Sequence, residues 1–327
     1  MNRRLIRTVE NNFPYPIAIE FRRLNTPDFL KPDYKRLKQI LKSAEKTIHF
    51  LALIGLSDLL DKNLHQTFDI PDSFRKEFVN RFTRTTFGKW IALLRDTVRV
   101  FKDNGAQFFM EELSDFFIRG AKKEAEAQKA FNSLTTIRNG LEHPNFNPTP
   151  QVFKDLCQET ESYLETIYQE LDFIIDYQFL FVHNVSVKYH RFQQPGFSHT
   201  LAEVVGLTNE FSSFVRESKD LLHSPSVIIA REDDEEFMSL EPLIIYSDEG
   251  EEKIADIFLY TDWDRKKRLI RYIPADKGGK FNLLDTSFAE VYAPTLLRFF
   301  QAFALPEETE SRREALEKIT LRNETHD

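Results

Sequence analysis

The sequence has almost no cysteine and no long apolar run. Cys157 is its single cysteine, which excludes an intramolecular disulfide and a zinc site built from cysteines and is typical of a reducing compartment. No segment approaches the roughly 20 apolar residues that a membrane-spanning helix needs, and residues 1–13 are too polar for a signal peptide. These absences predict a cytoplasmic protein with no membrane contact.

Motifs that hold a cofactor or a metal are also missing. Gly278, Gly279 and Lys280 lack the first glycine and the Ser or Thr of a phosphate-binding P-loop. The three histidines at positions 183, 190 and 199 are widely spaced and come with no obvious carboxylate set, which disfavours a metal site. We therefore expect no cofactor and no metal.

Charge is present in both signs but is unevenly distributed. The net charge is −8; residues 1–100 hold 19 Lys and Arg against 11 Asp and Glu, whereas residues 101–250 hold 12 against 26. A basic first part permits a phosphate-binding face. The alternative is that Lys-rich faces of surface helices are simply solvated.

Helical periodicity dominates the first half of the chain. Apolar residues recur at a spacing of three and four in residues 34–60, 87–101 and 127–141, another helix starts after Asp72, and Thr149 followed by Pro150 starts one that continues to about Asp176. A helical bundle over residues 30–176 is the economical interpretation. Residues 12–23, which contain Phe13, Tyr15 and Phe21, are expected to pack as an extended arm against another element or protomer. The less favoured alternative is that their interleaved aromatic and arginine side chains stack on bases.

Short β-branched and aromatic runs separated by turn residues dominate the second half. They predict strands at residues 179–189, 226–230, 243–246, 257–260 and 269–273, followed by helices at 288–303 and 308–321. We predict an α+β protein in which an all-α bundle with an N-terminal arm (residues 1–176) precedes a smaller β-rich domain (residues 177–327). That domain would be an antiparallel sheet or a partly open barrel with C-terminal helices.

The most informative motif is Arg138-Asn139-Gly140-Leu141-Glu142-His143, at the end of a predicted helix and stopped by Pro144. RNA carries its own nucleophile, the 2′-hydroxyl group. Its cleavage therefore needs a group that titrates near neutral pH, a cation for the developing charge, and a polar group that orients them. His143 suits the first task, Arg138 the second and Asn139 the third.

The alternative is that the same residues have a purely structural role at the end of the helix. Arg138 and Glu142 are four apart, which is the spacing of a surface ion pair on a helix. A histidine in the last helical turn is favoured by the helix dipole.

The motif resembles the Arg-polar-x-x-x-His signature of the HEPN superfamily, whose members are small helical bundles in prokaryotic toxins, defence proteins and some RNA-processing factors. The resemblance covers residues 30–176 and implies a metal-independent endoribonuclease. It also implies a homodimer whose two motifs form one composite active site, with Arg138 and His143 as the catalytic pair and Asn139 at the polar position.

One departure from the family pattern changes what is expected of partners. Many toxin members have a tyrosine two residues after the histidine, where this chain has Asn145. A nucleotidyltransferase partner is therefore not implied. The resemblance implies RNA cleavage in a toxin or antiphage-defence setting, with an inhibitor or defence-system protein as a partner. The alternative is a non-catalytic HEPN-fold interaction module whose β-rich domain binds a partner or a signal.

Overall fold

The computed structural model describes residues 1–65, 68–120, 123–142, 148–192, 194–207, 212–219, 221–222, 224–231, 236–247, 256–264, 269–276, 281–282 and 288–304. Its helices are α1 (Arg3–Asn12), α2 (Tyr15–Arg22), α3 (Tyr34–His65), α4 (Asp72–Thr83), α5 (Phe87–Asp103), α6 (Leu113–Phe117), α7 (Glu126–Leu141), α8 (Pro150–Glu170) and α9 (Phe288–Phe303). In this part of the chain, no helix is long and apolar enough to cross a membrane.

The strands of the described residues form three antiparallel groups. They are β1 (Ile118–Arg119), β2 (Lys123–Glu124), β3 (Tyr177–Lys188), β4 (Gly196–Glu203), β5 (Ser213–Ser218), β6 (Ser226–Arg231), β7 (Phe237–Ser239), β8 (Ile244–Ser247), β9 (Asp256–Asp264), β10 (Leu269–Pro274) and β11 (Phe281–Asn282). The strand orders are β1-β2, β5-β4-β3-β6-β7 and β11-β10-β9-β8. Helices, antiparallel sheets and a final helix follow one another along the chain, which confirms the predicted α+β class.

The chain divides into two compact units, and each combines helices with a sheet. Unit 1 contains Met1–Phe50 and Met110–Ser239, and unit 2 contains Leu51–Phe109 and Leu240–Asp327. The boundary predicted at residue 176 marks the place where the chain changes from helices to strands. The two compact units are defined differently, because each is made of segments that are distant in sequence and packed together. The predicted helix at 308–321 lies outside the described residues.

Unit 1 is held by aromatic packing among its N-terminal helices and α8. Tyr168 of α8 is fully buried, and its ring meets those of Phe13 and Phe21 edge to face at 5.9 and 5.1 Å. The backbone N–H of Tyr15 donates to the carbonyl of Val204 just after β4, at 3.0 Å. The segment expected as an extended arm is thus buried but helical, because Pro14 and Pro16 suit the first turn of α2.

The five-stranded sheet of unit 1 buries one face more completely than the other. Phe50 of α3 packs against Phe179 of β3 on the covered face, with ring centres 5.4 Å apart. The opposite face carries a small cluster that includes Val182, Leu201 and Leu222. Beyond this cluster the sheet continues to an end whose side chains are exposed.

Unit 2 is built around stacked phenylalanines. Phe82 of α4 is fully buried and lies parallel to Tyr260 of β9, with ring centres 4.3 Å apart and an interplanar angle of 8°. Phe299 of α9 stacks on the same phenylalanine at 5.2 Å. The hydroxyl of Tyr260 donates to the carbonyl of Phe82 at 3.0 Å. Phe82 thus joins a helix, a strand and the last described helix.

Phe82→Ala is expected to lower the free energy of unfolding by about 3–5 kcal/mol, because it removes a buried ring that neighbouring rings cannot replace. Phe82→Leu keeps most of the volume and should cost clearly less. Urea unfolding of the full chain measures both changes. A loss below about 1 kcal/mol for Phe82→Ala would contradict this packing.

A buried carboxyl group in unit 2 gives stability a pH dependence. Asp58 of α3 is 1% exposed, its Oδ2 accepts the N–H of Phe109 at 2.6 Å, and its Oδ1 has no hydrogen-bond partner among the described residues. Burial raises the pKa of Asp58 from 3.8 to about 7. Between these two values the folded chain keeps the proton that the unfolded chain releases.

We expect the free energy of unfolding to fall as pH rises from about 4 to about 7 and to level off above that range. Asp58→Asn should remove part of this fall and stabilise the chain most at pH 8, since the amide is neutral at every pH. Denaturant unfolding between pH 5 and 8 tests this, with Asp103→Asn as the same change at an exposed position of the same unit. Parallel pH profiles for Asp58→Asn and the wild type would refute it.

Candidate functional site

The motif lies on the part of α7 that leaves the core of unit 1. The buried residues of α7 all lie between Ala127 and Leu134 and include Phe131. From Thr135 to Glu142 no residue is buried. The first half of α7 therefore anchors the helix, and its last two turns present their side chains to solvent.

The helix ends just before the predicted histidine. Its last residue is Leu141, and the backbone N–H of Glu142, the C-cap residue, donates to the carbonyl of Asn139 at 3.3 Å. His143 lies outside the described residues. The prediction that it shares a face with Asn139 therefore stays a prediction.

Arg138 and Asn139 are presented together on this free end. The Arg138 guanidinium lies 3.9 Å from Oε1 of Glu142, and the two side chains are 30% and 70% exposed. The expected ion pair is thus formed, but it is long and partly solvated, a type that contributes about 0–1 kcal/mol. Asn139 is exposed and makes no side-chain hydrogen bond within the described residues. Both groups are free to contact a ligand.

Apolar side chains border the same end of the helix pair. Ile137 and Leu141 of α7 are only partly buried, as is Phe153 of α8, while Val152 is 40% exposed. The side-chain oxygen of Thr149 accepts the N–H of Val152 and caps α8, as the sequence predicts. The tip of the α7–α8 pair thus combines polar motif residues with an incompletely covered apolar rim.

A second cationic surface lies on α1, in the part of the sequence with excess basic charge. A shallow depression of about 370 Å³ there is lined by Arg3, Arg4, Arg7, Thr8, Asn11 and Asn12. The three arginines are exposed, and none forms an ion pair with a described residue. Guanidinium groups without carboxylate partners suit contact with phosphate oxygens.

Two histidines and the single cysteine that could have taken part in chemistry instead make contacts of a structural kind. Nε2 of His199 accepts the backbone N–H of Leu222 at 3.2 Å, and the ring of His183 packs against Phe181. Burial raises the pKa of Cys157 to about 11, so its thiol stays protonated and unreactive at neutral pH. Among the described residues, no group of three or more His, Cys, Asp or Glu side chains is arranged to hold a metal ion.

Comparison with known protein families, curated proteins and solved structures gives no match to this chain. The HEPN resemblance therefore rests on the motif residues and on their helical setting.

Gly140 tests the open surroundings of the motif. A Cβ atom added at Gly140 would meet no heavy atom within 4 Å. Gly140→Ala should therefore raise the free energy of unfolding by about 0.5–1 kcal/mol, because alanine favours the helix and restricts the unfolded chain. Thermal unfolding measures this change. If Gly140→Ala were destabilising instead, the added methyl group would have to meet neighbouring atoms, and the surroundings of the motif would not be open.

Proposed function

We propose that the chain is a metal-independent endoribonuclease of the HEPN type. The observation that supports this most directly is that the half-buried Arg138 and the exposed Asn139 lie together on the last turns of α7, which contain no buried residue and shortly precede His143 in sequence. A helix tip with a cation, an amide and a histidine is chemically sufficient for cleavage by the 2′-hydroxyl group of RNA. The toxin or antiphage-defence setting rests on the family resemblance alone.

In the proposed reaction the 2′-oxygen attacks the adjacent phosphorus and loses its proton to a base. The bond from phosphorus to the 5′-oxygen breaks, and the departing oxygen takes up a proton. The products are a 2′,3′-cyclic phosphate and a 5′-hydroxyl end. His143 serves as the general acid or base, and Arg138 binds the charge that develops on the phosphorane oxygens. Asn139 orients the 2′-hydroxyl group or the imidazole.

Arg138 can change partners at little cost. Its contact with Glu142 is 3.9 Å long and partly solvated, whereas a guanidinium–phosphate contact is bidentate and charge-assisted. The exchange of a weak carboxylate contact for a phosphate contact is therefore favourable when RNA is bound.

The apolar rim supports the proposed homodimer. Ile137, Leu141, Val152 and Phe153 surround the motif and leave apolar area that a second copy of the same tip would cover. An isologous contact of this kind places two copies of Arg138 and His143 near one two-fold axis. The rim also favours the alternative function, an interaction module in which the motif residues support dimerisation only.

The test is incubation of the purified full chain with total RNA or tRNA in EDTA, followed by end-group analysis. We expect cleavage that leaves cyclic phosphate ends. Arg138→Ala and His143→Ala should each lower the rate by about 10²–10⁴-fold, because each removes a group that acts in the transition state.

Glu142→Gln is the matched control. It removes the ion-pair partner of Arg138 and leaves the guanidinium in place, so cleavage should persist. If Arg138 served only as a surface ion-pair partner, Arg138→Ala and Glu142→Gln would have the same small effect on stability and none on RNA. A folded dimer that leaves RNA intact in EDTA, and that Arg138→Ala dissociates, would overturn the nuclease and favour the interaction module.

A further inference from the structure

The exposed end of the five-stranded sheet in unit 1 presents aromatic rings to solvent. Every residue from Ser186 to Phe192 is exposed. Tyr189 is 69% and Phe192 is 91% exposed, and Phe192 has φ of 70°, a conformation that bulky residues rarely adopt. Large aromatic side chains that are exposed to water on one short segment mark an interaction surface rather than a part of the core.

Two arginines of this sheet region lie over aromatic rings. The Arg191 guanidinium is 4.9 Å from the ring centre of Phe192, and that of Arg216 on β5 is 5.9 Å from Phe214. Arg216 also donates to Oε1 of Gln178 at 2.7 Å, and because Gln178 lies at the start of β3, this guanidinium is directed away from the exposed end. Arg191 forms no ion pair with any described residue. The surface therefore offers both ring faces and guanidinium planes.

Charge sets this surface apart from the sequence around it. Residues 177–202 contain Lys188 and Arg191 but no Asp or Glu, although residues 101–250 as a whole hold 26 acidic residues against 12 basic ones. Lys188 reaches across to Glu217 of β5 at 2.6 Å, and Arg216 and Lys219 add two further cations on or beside β5. The surface is thus locally cationic in an acidic region.

This combination selects among the possible occupants. A second copy of the chain would bring the same cationic patch against itself, because a two-fold contact places like surfaces together, and like charges would repel. Single-stranded nucleic acid supplies the opposite charge along its backbone and flat bases that stack on aromatic rings and guanidinium planes.

We propose that this end of the sheet binds single-stranded RNA, with bases stacked on Tyr189 and Phe192 and phosphates contacted by Arg191. The proposal deepens the ribonuclease function and rests on it for the choice of RNA. The surface would hold an unpaired stretch of the substrate, so the enzyme would prefer loops and single strands to duplexes.

The test is fluorescence anisotropy of the full chain with a labelled 2′-O-methyl oligouridine, which cannot be cut by 2′-hydroxyl attack. Binding is thereby measured independently of cleavage. Phe192→Ala and Tyr189→Ala should each raise the Kd by about 5- to 100-fold, as expected for loss of one stacked base. Arg191→Gln should reduce the slope of log affinity against log salt concentration by about 0.7.

Leu30→Ala and Arg22→Ala are the matched controls, because they remove an exposed apolar side chain and an exposed arginine elsewhere in unit 1. Both should bind as the wild type does. Unchanged affinity in Phe192→Ala and Tyr189→Ala, or equal losses in the controls, would overturn the proposal and reassign the patch to a protein partner. A duplex RNA that binds as tightly as the single strand would also overturn it.

The two proposals fail in different ways. Tight binding of the oligouridine that depends on Phe192, without cleavage of RNA in EDTA, supports the binding surface and overturns the nuclease. Cleavage that Phe192→Ala leaves unchanged, together with unchanged oligouridine binding, supports the nuclease and overturns the binding surface.

Discussion

Both units depend on the burial of aromatic rings, for which the sequence supplies 31 phenylalanines. Each buried ring removes a large apolar area from water and also fixes geometry, because rings pack edge to face or in offset stacks. Tyr168 holds the N-terminal helices of unit 1 through Phe13 and Phe21. In unit 2, Phe82 holds α4 against β9 and α9 through Tyr260 and Phe299. The secondary structure elements are arranged as these contacts require.

The two candidate surfaces lie where chain elements extend beyond this packing. Helix α7 is fixed by Phe131 and its neighbours, and its last two turns carry the motif outside the core. Strand β3 is fixed by Phe179 and Val182, and its far end carries Tyr189 into solvent. A helix or strand that is anchored in the core at one end holds the side chains at its other end in place and still leaves them accessible to a large ligand.

Local sequence signals predicted the elements whose stability is local. The predicted bounds of α9 agree with the structure because Leu296, Phe299 and Phe303 recur at helical spacing, and α4 begins where Pro71 and Asp72 indicate. Strands β4 and β5 were missed because polar residues such as Ser198 and Arg216 interrupt them. Their conformation comes from the pairing of β4 with β3 and of β5 with β4, rather than from their own propensity.

The site was predictable to a similar extent. The helical pattern located Arg138 and Asn139 at the end of a helix, but only the structure shows that no residue after Leu134 in α7 is buried. The stacked pair Arg191 and Phe192 carries no sequence signal, since an aromatic residue in a strand region is usually a core residue. The grouping of residues 51–109 with the segment that begins at Leu240 depends on packing between distant parts of the chain, which local patterns do not report.

The interleaved order of the two units has a consequence during synthesis. Unit 1 has all its segments once Ser239 has been made, whereas Phe82 cannot meet Phe299 until about 190 further residues beyond Phe109 have been added. At about 5–20 residues per second this delay is roughly 10–40 s. Until Phe299 has been made, Phe82 lacks its ring contact with α9. Unit 2 therefore completes its core later than unit 1.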